Sequence, residues 1–150
     1  EAFYAVYYTV RADNFSTDIM CVSKERIKET IKEYENIQKP TQTEKDVHTI
    51  LEVVNEMLER GINFLPVDIY ESDATKFTVV GNSVRPPLSA LTGFGTVNAV
   101  NLVNEREKGP FASKEELMLR AKLGKSAMEI LENNNCLKDM PNSMQMNLFD

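Results

Sequence analysis

The segment 91–100, Leu-Thr-Gly-Phe-Gly-Thr-Val-Asn-Ala-Val, constrains the fold of this chain more than any other segment. Two glycines flank a phenylalanine, and a helical pattern of apolar residues follows. Because glycine has no Cβ, Gly93 and Gly95 allow a sharp turn and let the backbone approach a partner closely. The helix that follows begins with unpaired backbone N–H groups and the positive end of the helix dipole. The sequence therefore predicts a tight hairpin leading into a helix start, which is an anion site.

The ligand of this predicted site follows from what comes after the glycines. A nucleotide-binding P-loop needs a Lys-Ser or Lys-Thr pair, and none stands after Gly95. The spacing instead favours a helix-hairpin-helix that binds a phosphate of nucleic acid. A second helix–turn–helix pattern, over about 114–134, is centred on Gly124 and contains one glycine instead of two. A plain helical bundle whose glycines only turn corners fits the same residues, and the residues alone leave that alternative open.

The predicted DNA-binding residues lie in these two hairpins. Backbone N–H groups at Gly93, Gly95 and Thr96 would face one phosphate, and those of 124–126 would face another. Lysine side chains would add positive charge, and hydroxyl groups would add hydrogen-bond donors. The complete set is Thr92, Gly93, Phe94, Gly95, Thr96, Lys122, Gly124, Lys125 and Ser126.

The net charge of −6 argues against DNA binding until it is divided along the chain. Residues 1–84 carry nine basic and fifteen acidic side chains, and residues 126–150 carry one basic and four acidic. Residues 85–125 carry seven basic and four acidic side chains, so the glycine hairpin lies in the only net-positive segment. Because phosphate binding depends on such charge, the position supports the hypothesis, and the small surplus predicts weak binding.

The fold is predicted to be mainly α-helical with one small β-hairpin. Apolar runs on either side of Gly81-Asn82 predict the β-hairpin. The nearly continuous apolar run 2–10 fits a buried helix or a strand equally well. Capping boxes are predicted for the last two helices, Ser113 with Glu116 and Ser126 with Glu129. Helices are predicted over about 24–37, from Thr43 to a stop at Gly61, and over about 96–107, 114–121 and 127–134.

Several functional classes are disfavoured by what the sequence lacks. No apolar run is long enough to span a membrane. Cys21 and Cys136 belong to no metal-ligand or disulfide pattern, so we expect two reduced thiols, and His48 is expected at a surface or boundary. Because the chain begins at Glu1, we expect it to be a piece of a longer protein.

The segment after Pro141 continues no helical pattern and is expected to be a flexible tail. Near its end a glutamine precedes a Leu-Phe pair, which could place two apolar anchors in a pocket of a partner while the glutamine bonds at the rim. The alternative is a tail that folds back on its own domain.

Taken together, these segments resemble the carboxyl-terminal part of the alpha subunit of PolC-type DNA polymerase III from low-GC Gram-positive bacteria. The resemblance covers essentially the whole chain. It is carried by Ala-Phe-Tyr-Ala at 2–5, Tyr-Thr-Val-Arg-Ala-Asp at 8–13, Glu-Met-Leu-Glu-Arg-Gly-Ile at 56–62, Phe-Leu-Pro-Val-Asp-Ile-Tyr-Glu-Ser-Asp-Ala at 64–74, the hairpin at 91–95 and Gln-Met-Asn-Leu-Phe at 145–149.

The resemblance implies three parts for this chain. Residues 1–84 would be the end of a fingers domain, residues 85–140 a tandem helix-hairpin-helix domain that binds duplex DNA, and residues 141–150 a flexible tail that binds the sliding clamp. The tail is similar to the family's clamp-binding motif, but Met146 stands where leucine is usual, so we expect reduced but retained clamp affinity. The implied clamp-binding residues are Gln145, Met146, Leu148 and Phe149.

The resemblance also implies where the chemistry lies. The parent chain would carry out DNA-directed DNA synthesis, with an associated 3′–5′ exonuclease and Mg²⁺ at its palm domain. The palm is not in this segment, so we expect no catalytic residue, metal ligand or cofactor here, and no activity of the piece alone. Asp68, Glu71 and Asp73 are expected to cap loops or hold the fold.

The implied partners are primer-template duplex DNA, the sliding clamp (the beta subunit) and the rest of the polymerase chain, without any membrane. The implied location is the bacterial cytoplasm, at the nucleoid. Two other classes of function stay open: a stand-alone helix-hairpin-helix accessory protein of DNA repair or recombination, and a helical protein-interaction domain that does not touch DNA.

Overall fold

The computed structural model describes residues 1–143, and the predicted fold class, mainly α with a small β element, is confirmed. Short 3₁₀ turns lie at Ala12–Asn14 and Leu88–Ala90. The strands are Asn63–Phe64 (β1), Thr78–Val80 (β2) and Ser83–Arg85 (β3). The helices are Ala2–Val10 (α1), Thr17–Met20 (α2), Lys24–Glu35 (α3), Gln42–Glu59 (α4), Thr96–Arg106 (α5), Lys114–Ala121 (α6) and Lys125–Asn133 (α7).

The described residues divide into two units with separate cores. The amino-terminal unit comprises Glu1–Pro66 and Lys76–Pro86, and the carboxyl-terminal unit comprises Val67–Thr75 and the described residues from Pro87 onwards. Segment 67–75 therefore packs with the unit that contains the hairpins, although the sequence grouped it with residues 1–84. The assignment of the three parts to fingers, duplex-binding domain and tail stays a prediction.

Helix α4 packs its apolar stripe against α3 in the amino-terminal unit. Its stripe residues Ile50, Leu51, Val54 and Met57 are 0–1% exposed. The helix begins earlier than predicted, because Thr41 is the N-cap in place of Thr43. The Thr41 hydroxyl accepts a hydrogen bond from the N–H of Glu44, and the Glu44 carboxylate accepts one from the N–H of Thr41. This complete capping box fixes the start of the helix.

The apolar run 2–10 is the helix α1. Every fourth residue faces inward, and Tyr4 and Tyr8 are 3% and 0% exposed. The Tyr8 ring lies 5.3–5.4 Å from three phenylalanine rings, those of Phe15, Phe64 and Phe77. Aromatic contacts of this length stabilise a core beyond the area that they bury. Packing around Tyr8 therefore favours the helix, which the periodicity of the apolar run could not distinguish from a strand.

The predicted β-hairpin is present, with β2 and β3 antiparallel around Gly81-Asn82. A third strand, β1, was not predicted, and it pairs in parallel with β3 to give the order β1-β3-β2. With only two residues, β1 is too short to give an alternating pattern.

The carboxyl-terminal unit has one apolar core formed by α5, α6, α7 and the turns between them. The most deeply buried members of the core are Leu88, Leu91, Phe94, Ala99, Leu102, Leu117, Ala121 and Leu131.

Two aspartates of segment 67–75 cap its loop. The Asp68 carboxylate accepts hydrogen bonds from the N–H groups of Tyr70 and Glu71, and the Asp73 carboxylate accepts one from that of Thr75. The predicted loop-capping role is thus confirmed for Asp68 and Asp73.

Candidate nucleic-acid interface

The first hairpin places its two glycines in backbone conformations that other residues rarely adopt. Gly93 has φ +82° and Gly95 has φ +85° with ψ 155°. Phe94 between them is 1% exposed and belongs to the core. Its N–H donates to the carbonyl of Leu91 (3.0 Å), and its carbonyl accepts from the Asn98 side-chain amide (2.7 Å). The buried ring thus anchors a turn whose two glycines point outward.

The start of α5 is exposed and has no cap. Gly95 is the N-cap of this helix, and no side chain hydrogen-bonds to it there. No hydrogen bond between residues 1–143 uses the N–H of Gly93, Gly95, Thr96 or Val97. All four residues are exposed. The hairpin therefore presents several donors at the positive end of a helix dipole, where an anionic oxygen is stabilised.

The second hairpin has a similar arrangement, with Lys122 at the position of Gly93. Leu123 is 4% exposed and precedes the N-cap Gly124, as Phe94 precedes Gly95. Lys122, two residues before the N-cap, has φ +56° and takes the left-handed conformation that Gly93 takes in the first hairpin. Within the described part of the chain, the N–H groups of Lys125 and Ser126 also have no hydrogen-bond partner. The second hairpin thus shares the left-handed residue and the exposed helix start of the first, but its N-cap Gly124 has φ −79° where Gly95 has φ +85°.

The predicted capping boxes of the last two helices need correction. Helix α7 begins at Lys125, with Gly124 as N-cap, so Ser126 lies in its first turn and forms no capping box with Glu129. The reason is the end of α6: the N–H of Leu123 bonds back to the carbonyl of Met118 (3.0 Å), and Leu123 is buried, so Gly124 is the first residue that can cap the next helix. The Ser113 hydroxyl does accept from the N–H of Glu116, as predicted.

The two hairpins are joined through α7. A Cβ added to Gly93 would lie 3.3 Å from the Cδ1 atom of Ile130, so the tip of the first hairpin touches the helix that follows the second. Phe94 and Leu123 belong to the same core cluster. Packing therefore holds both helix starts in a fixed relation to each other.

Phe94 is the one predicted DNA-binding residue that is buried in the structure. Its side chain is buried, and both of its backbone groups already have partners. The remaining eight predicted residues, Thr92, Gly93, Gly95, Thr96, Lys122, Gly124, Lys125 and Ser126, are exposed at the two hairpins.

The positive charge of residues 85–125 is more concentrated than the sequence suggests. Five of its seven basic side chains bond to carbonyl or carboxylate oxygens of the protein. Lys122 and Lys125 are the two without such a partner among residues 1–143, and both lie in the second hairpin. The five engaged side chains are Arg85, Arg106, Lys108, Lys114 and Arg120.

The two engaged arginines of the carboxyl-terminal unit hold the fold. Arg106 donates to the carbonyls of Ile69 (3.0 Å) and Ser72 (2.6 Å), which ties segment 67–75 to α5. Arg120 is 22% exposed and donates to three carbonyls, those of Glu105 (2.7 Å), Gly109 (3.0 Å) and Pro110 (2.9 Å). A planar guanidinium suits such multiple acceptors. Both charges were counted in the net-positive segment 85–125, although neither residue is among the predicted DNA-binding residues.

The other chemistry of the chain is sparse. No group of His, Cys, Asp and Glu residues that could hold a metal ion occurs within residues 1–143. None of the helices in that range has the length and apolar character needed to cross a bilayer. Burial raises the pKa of the Cys21 thiol to about 12 and, with the nearby charge of Asp68, that of Cys136 to about 11. The predicted clamp-binding residues Gln145, Met146, Leu148 and Phe149 lie outside the described residues.

Comparison with known proteins agrees with this geometry. The family model described as "Helix-hairpin-helix motif" matches residues 61–146. The chain is 45% identical to the DNA polymerase III PolC-type of Clostridium perfringens, over 99% of this chain and 10% of that protein. It is 47% identical to that of Caldanaerobacter subterraneus, over 99% of this chain and 11% of that protein. It is 41% identical to that of Bacillus subtilis, over 98% of this chain and 10% of that protein. The resemblance to this polymerase type is thus confirmed, and the chain spans about a tenth of the length of these relatives.

Proposed function

Because this chain belongs to the helix-hairpin-helix motif family, we propose that its two hairpins bind the sugar-phosphate backbone of duplex DNA without regard to base sequence. One observation supports the proposal: two neighbouring helix starts expose backbone N–H groups that have no hydrogen-bond partner within residues 1–143. Backbone amides at helix starts bind phosphate oxygens and carry no information about bases. A helical bundle or a protein-interaction domain would not need two exposed helix starts of this kind.

The charges of the second hairpin set the expected strength of this binding. Two free lysines, Lys122 and Lys125, neutralise about two phosphates, which predicts a slope of log K against log salt of roughly −2. So small a slope means weak binding by the 150-residue chain itself. We propose that the region works as one of several DNA contacts in a larger enzyme.

The test removes one backbone N–H and leaves the fold intact. Thr96 is the first residue of α5, where proline is well tolerated, and the ψ of 155° at Gly95 suits a residue before proline. Thr96→Pro therefore deletes one free N–H, whereas Thr96→Ala keeps it and removes only the hydroxyl. A hydrogen bond to a charged group is worth about 1.5–3 kcal/mol, so we expect Thr96→Pro to bind a 20-base-pair duplex at least tenfold more weakly than Thr96→Ala.

A proline control in the other unit guards against a general effect of proline. Gln42 is the first residue of α4, and Gln42→Pro should leave duplex affinity unchanged in the same fluorescence anisotropy titration. Equal affinities of Thr96→Pro and Thr96→Ala would contradict a phosphate contact at the first hairpin. Failure of the unchanged chain to bind any duplex at low salt would contradict the proposed function as a whole.

The relatives suggest the wider role. They are named DNA polymerase III PolC-type, and we propose that this chain is the carboxyl-terminal part of such a bacterial replicative polymerase, which works on the nucleoid in the cytoplasm. It would hold the duplex that the enzyme has just made. Nucleotidyl transfer, the 3′–5′ exonuclease and the Mg²⁺ of the palm are assigned to the rest of the parent chain, so we expect the 150 residues alone to be inactive.

For the tail we propose a tether to the sliding clamp. The anchors would be Leu148 and Phe149, with Gln145 at the rim of the pocket and Met146 beside it. Even a weak clamp contact prolongs residence on DNA when the hairpins hold the same duplex, because the second contact forms at high effective concentration. Leu148→Ala/Phe149→Ala should abolish capture of the chain by immobilised clamp, and Asn147→Ala should not. Undiminished capture of the double variant would refute the tether.

A further inference from the structure

A polar cavity of about 250 Å³ lies beside the second hairpin, between the second half of α5 and the end of α6. Asn101 and Asn104 of α5 line one side, and Lys122 lines the other. Neither asparagine side chain has a hydrogen-bond partner within residues 1–143, and Lys122 has no ion pair there. The cavity thus offers two amide donors and one free ammonium group to a ligand.

The electrostatics of the cavity favour an anion. Its one carboxylate, Glu105, is already paired with Lys108 (2.8 Å) and with Arg120 (3.5 Å). The hydrogen bond from Lys108, together with the charge of Arg120, lowers the pKa of Glu105, so this carboxylate stays charged and neutralised. Lys108 and Arg120 are engaged in these pairs, and Arg120 also pairs with Glu116 (2.9 Å), so Lys122 is the lining cation whose charge has no ion pair within residues 1–143. A single anionic oxygen group with several acceptors matches these donors.

The cavity adjoins the second hairpin. Asn101 and Asn104 follow Thr96 by five and eight residues on α5, which places them about 7 and 12 Å along the helix from the first helix start. Lys122 belongs to the cavity and also begins the second hairpin. A ligand in the cavity therefore lies beside the second of the two proposed phosphate contacts.

We propose that this cavity binds a third phosphate of the duplex, through the side-chain amides of Asn101 and Asn104 and the ammonium group of Lys122. The proposal rests on the proposed function, because it assumes a strand already held by the hairpins. Amide side chains bond readily to phosphate oxygens, and such contacts position the protein without reading bases. The third contact would fix the direction of the strand beside the second helix start.

The experiment measures binding of the 150-residue chain to two 20-base-pair duplexes, one rich in A·T pairs and one rich in G·C pairs. Asn101→Ala/Asn104→Ala should weaken binding about tenfold on both duplexes and leave the salt slope unchanged, since no charge is lost. Lys122→Ala should weaken binding on both and reduce the slope by about one. Alanine is a better helix former than asparagine, so α5 should stay folded. Asn133→Ala, an exposed asparagine at the end of α7, is the matched control.

Each outcome decides the proposal. Equal loss of affinity on both duplexes supports it. Unchanged affinity of the asparagine variant, with Thr96→Pro still weakened, overturns the cavity site and leaves the hairpin contacts standing. A loss confined to one duplex also overturns it, because the asparagines would then read bases. If the unchanged chain binds neither duplex, both the hairpin and the cavity proposals fail.

Discussion

The two N-cap glycines provide a direct test of how the first hairpin is built, because their backbone conformations differ in the sign of φ. Gly95 has φ +85° and ψ 155°, and Gly124 has φ −79° and ψ 173°. The first conformation is nearly exclusive to glycine, and another residue there costs about 1–3 kcal/mol. An added Cβ would meet no atom within 4 Å at either position. Alanine at Gly95 therefore adds backbone strain without a steric clash.

The other energetic effects of alanine are shared by the two sites. Replacing glycine by alanine restricts the unfolded chain, which stabilises the fold by about 0.4–1 kcal/mol. Alanine is also a poorer N-cap than glycine, which costs a similar amount. We expect Gly124→Ala to be close to neutral and Gly95→Ala to lower the free energy of unfolding by about 2 kcal/mol.

The assay is urea unfolding followed by far-ultraviolet circular dichroism, for both variants and the unchanged chain. With a slope of about 1–3 kcal/mol per molar urea, the expected difference moves the midpoint by about 1 M. Because the chain has two units, the transitions must be compared with their slopes and not by midpoint alone. Equal shifts for Gly95→Ala and Gly124→Ala would refute the argument that the left-handed backbone distinguishes the first hairpin.

Three more outcomes are expected. Lys122→Gly and Lys122→Ala should lower duplex affinity equally, because both remove the charge. The glycine variant should be about 1 kcal/mol more stable than the alanine variant, because glycine relieves the left-handed backbone strain. Arg120→Met should lower the free energy of unfolding by about 2–3 kcal/mol, and Arg120→Lys should restore little of it, because one ammonium group cannot satisfy three carbonyls. Cys21 and Cys136 should resist thiol reagents at pH 8 unless urea is added. The free energy of unfolding should fall as pH rises above about 9, because the thiols of the unfolded chain ionise before those of the folded chain.

The structural features that the sequence predicted correctly are those that depend on residues close together in the chain. The stripe of α4, the turn at Gly81-Asn82 and the glycine hairpin are each defined within a few positions, and each is present. Helix α1 could not be distinguished from a strand, because the rings that surround Tyr8 come from three other parts of the chain.

The charge pattern was the least reliable guide to the candidate site. Arg106 finds its carbonyl partners 34 and 37 residues away, and Arg120 finds its own 10–15 residues away. Nothing in the local sequence marks either side chain as internal. Counting charges over a segment therefore overestimates the charge available to DNA, and only a structure separates Lys122 and Lys125 from the rest.

The second hairpin shows which part of the motif is essential. Both hairpins keep a buried apolar residue directly before the N-cap glycine, Phe94 in one and Leu123 in the other. The residue before that must have positive φ, which glycine meets without strain and Lys122 meets at a cost of about 1 kcal/mol. Lys122 also adds an ammonium group to the second hairpin, which glycine cannot do. If the hairpins bind phosphate as proposed, the second one gives up a little stability for a charge beside its ligand, and a search that counts glycines will miss it.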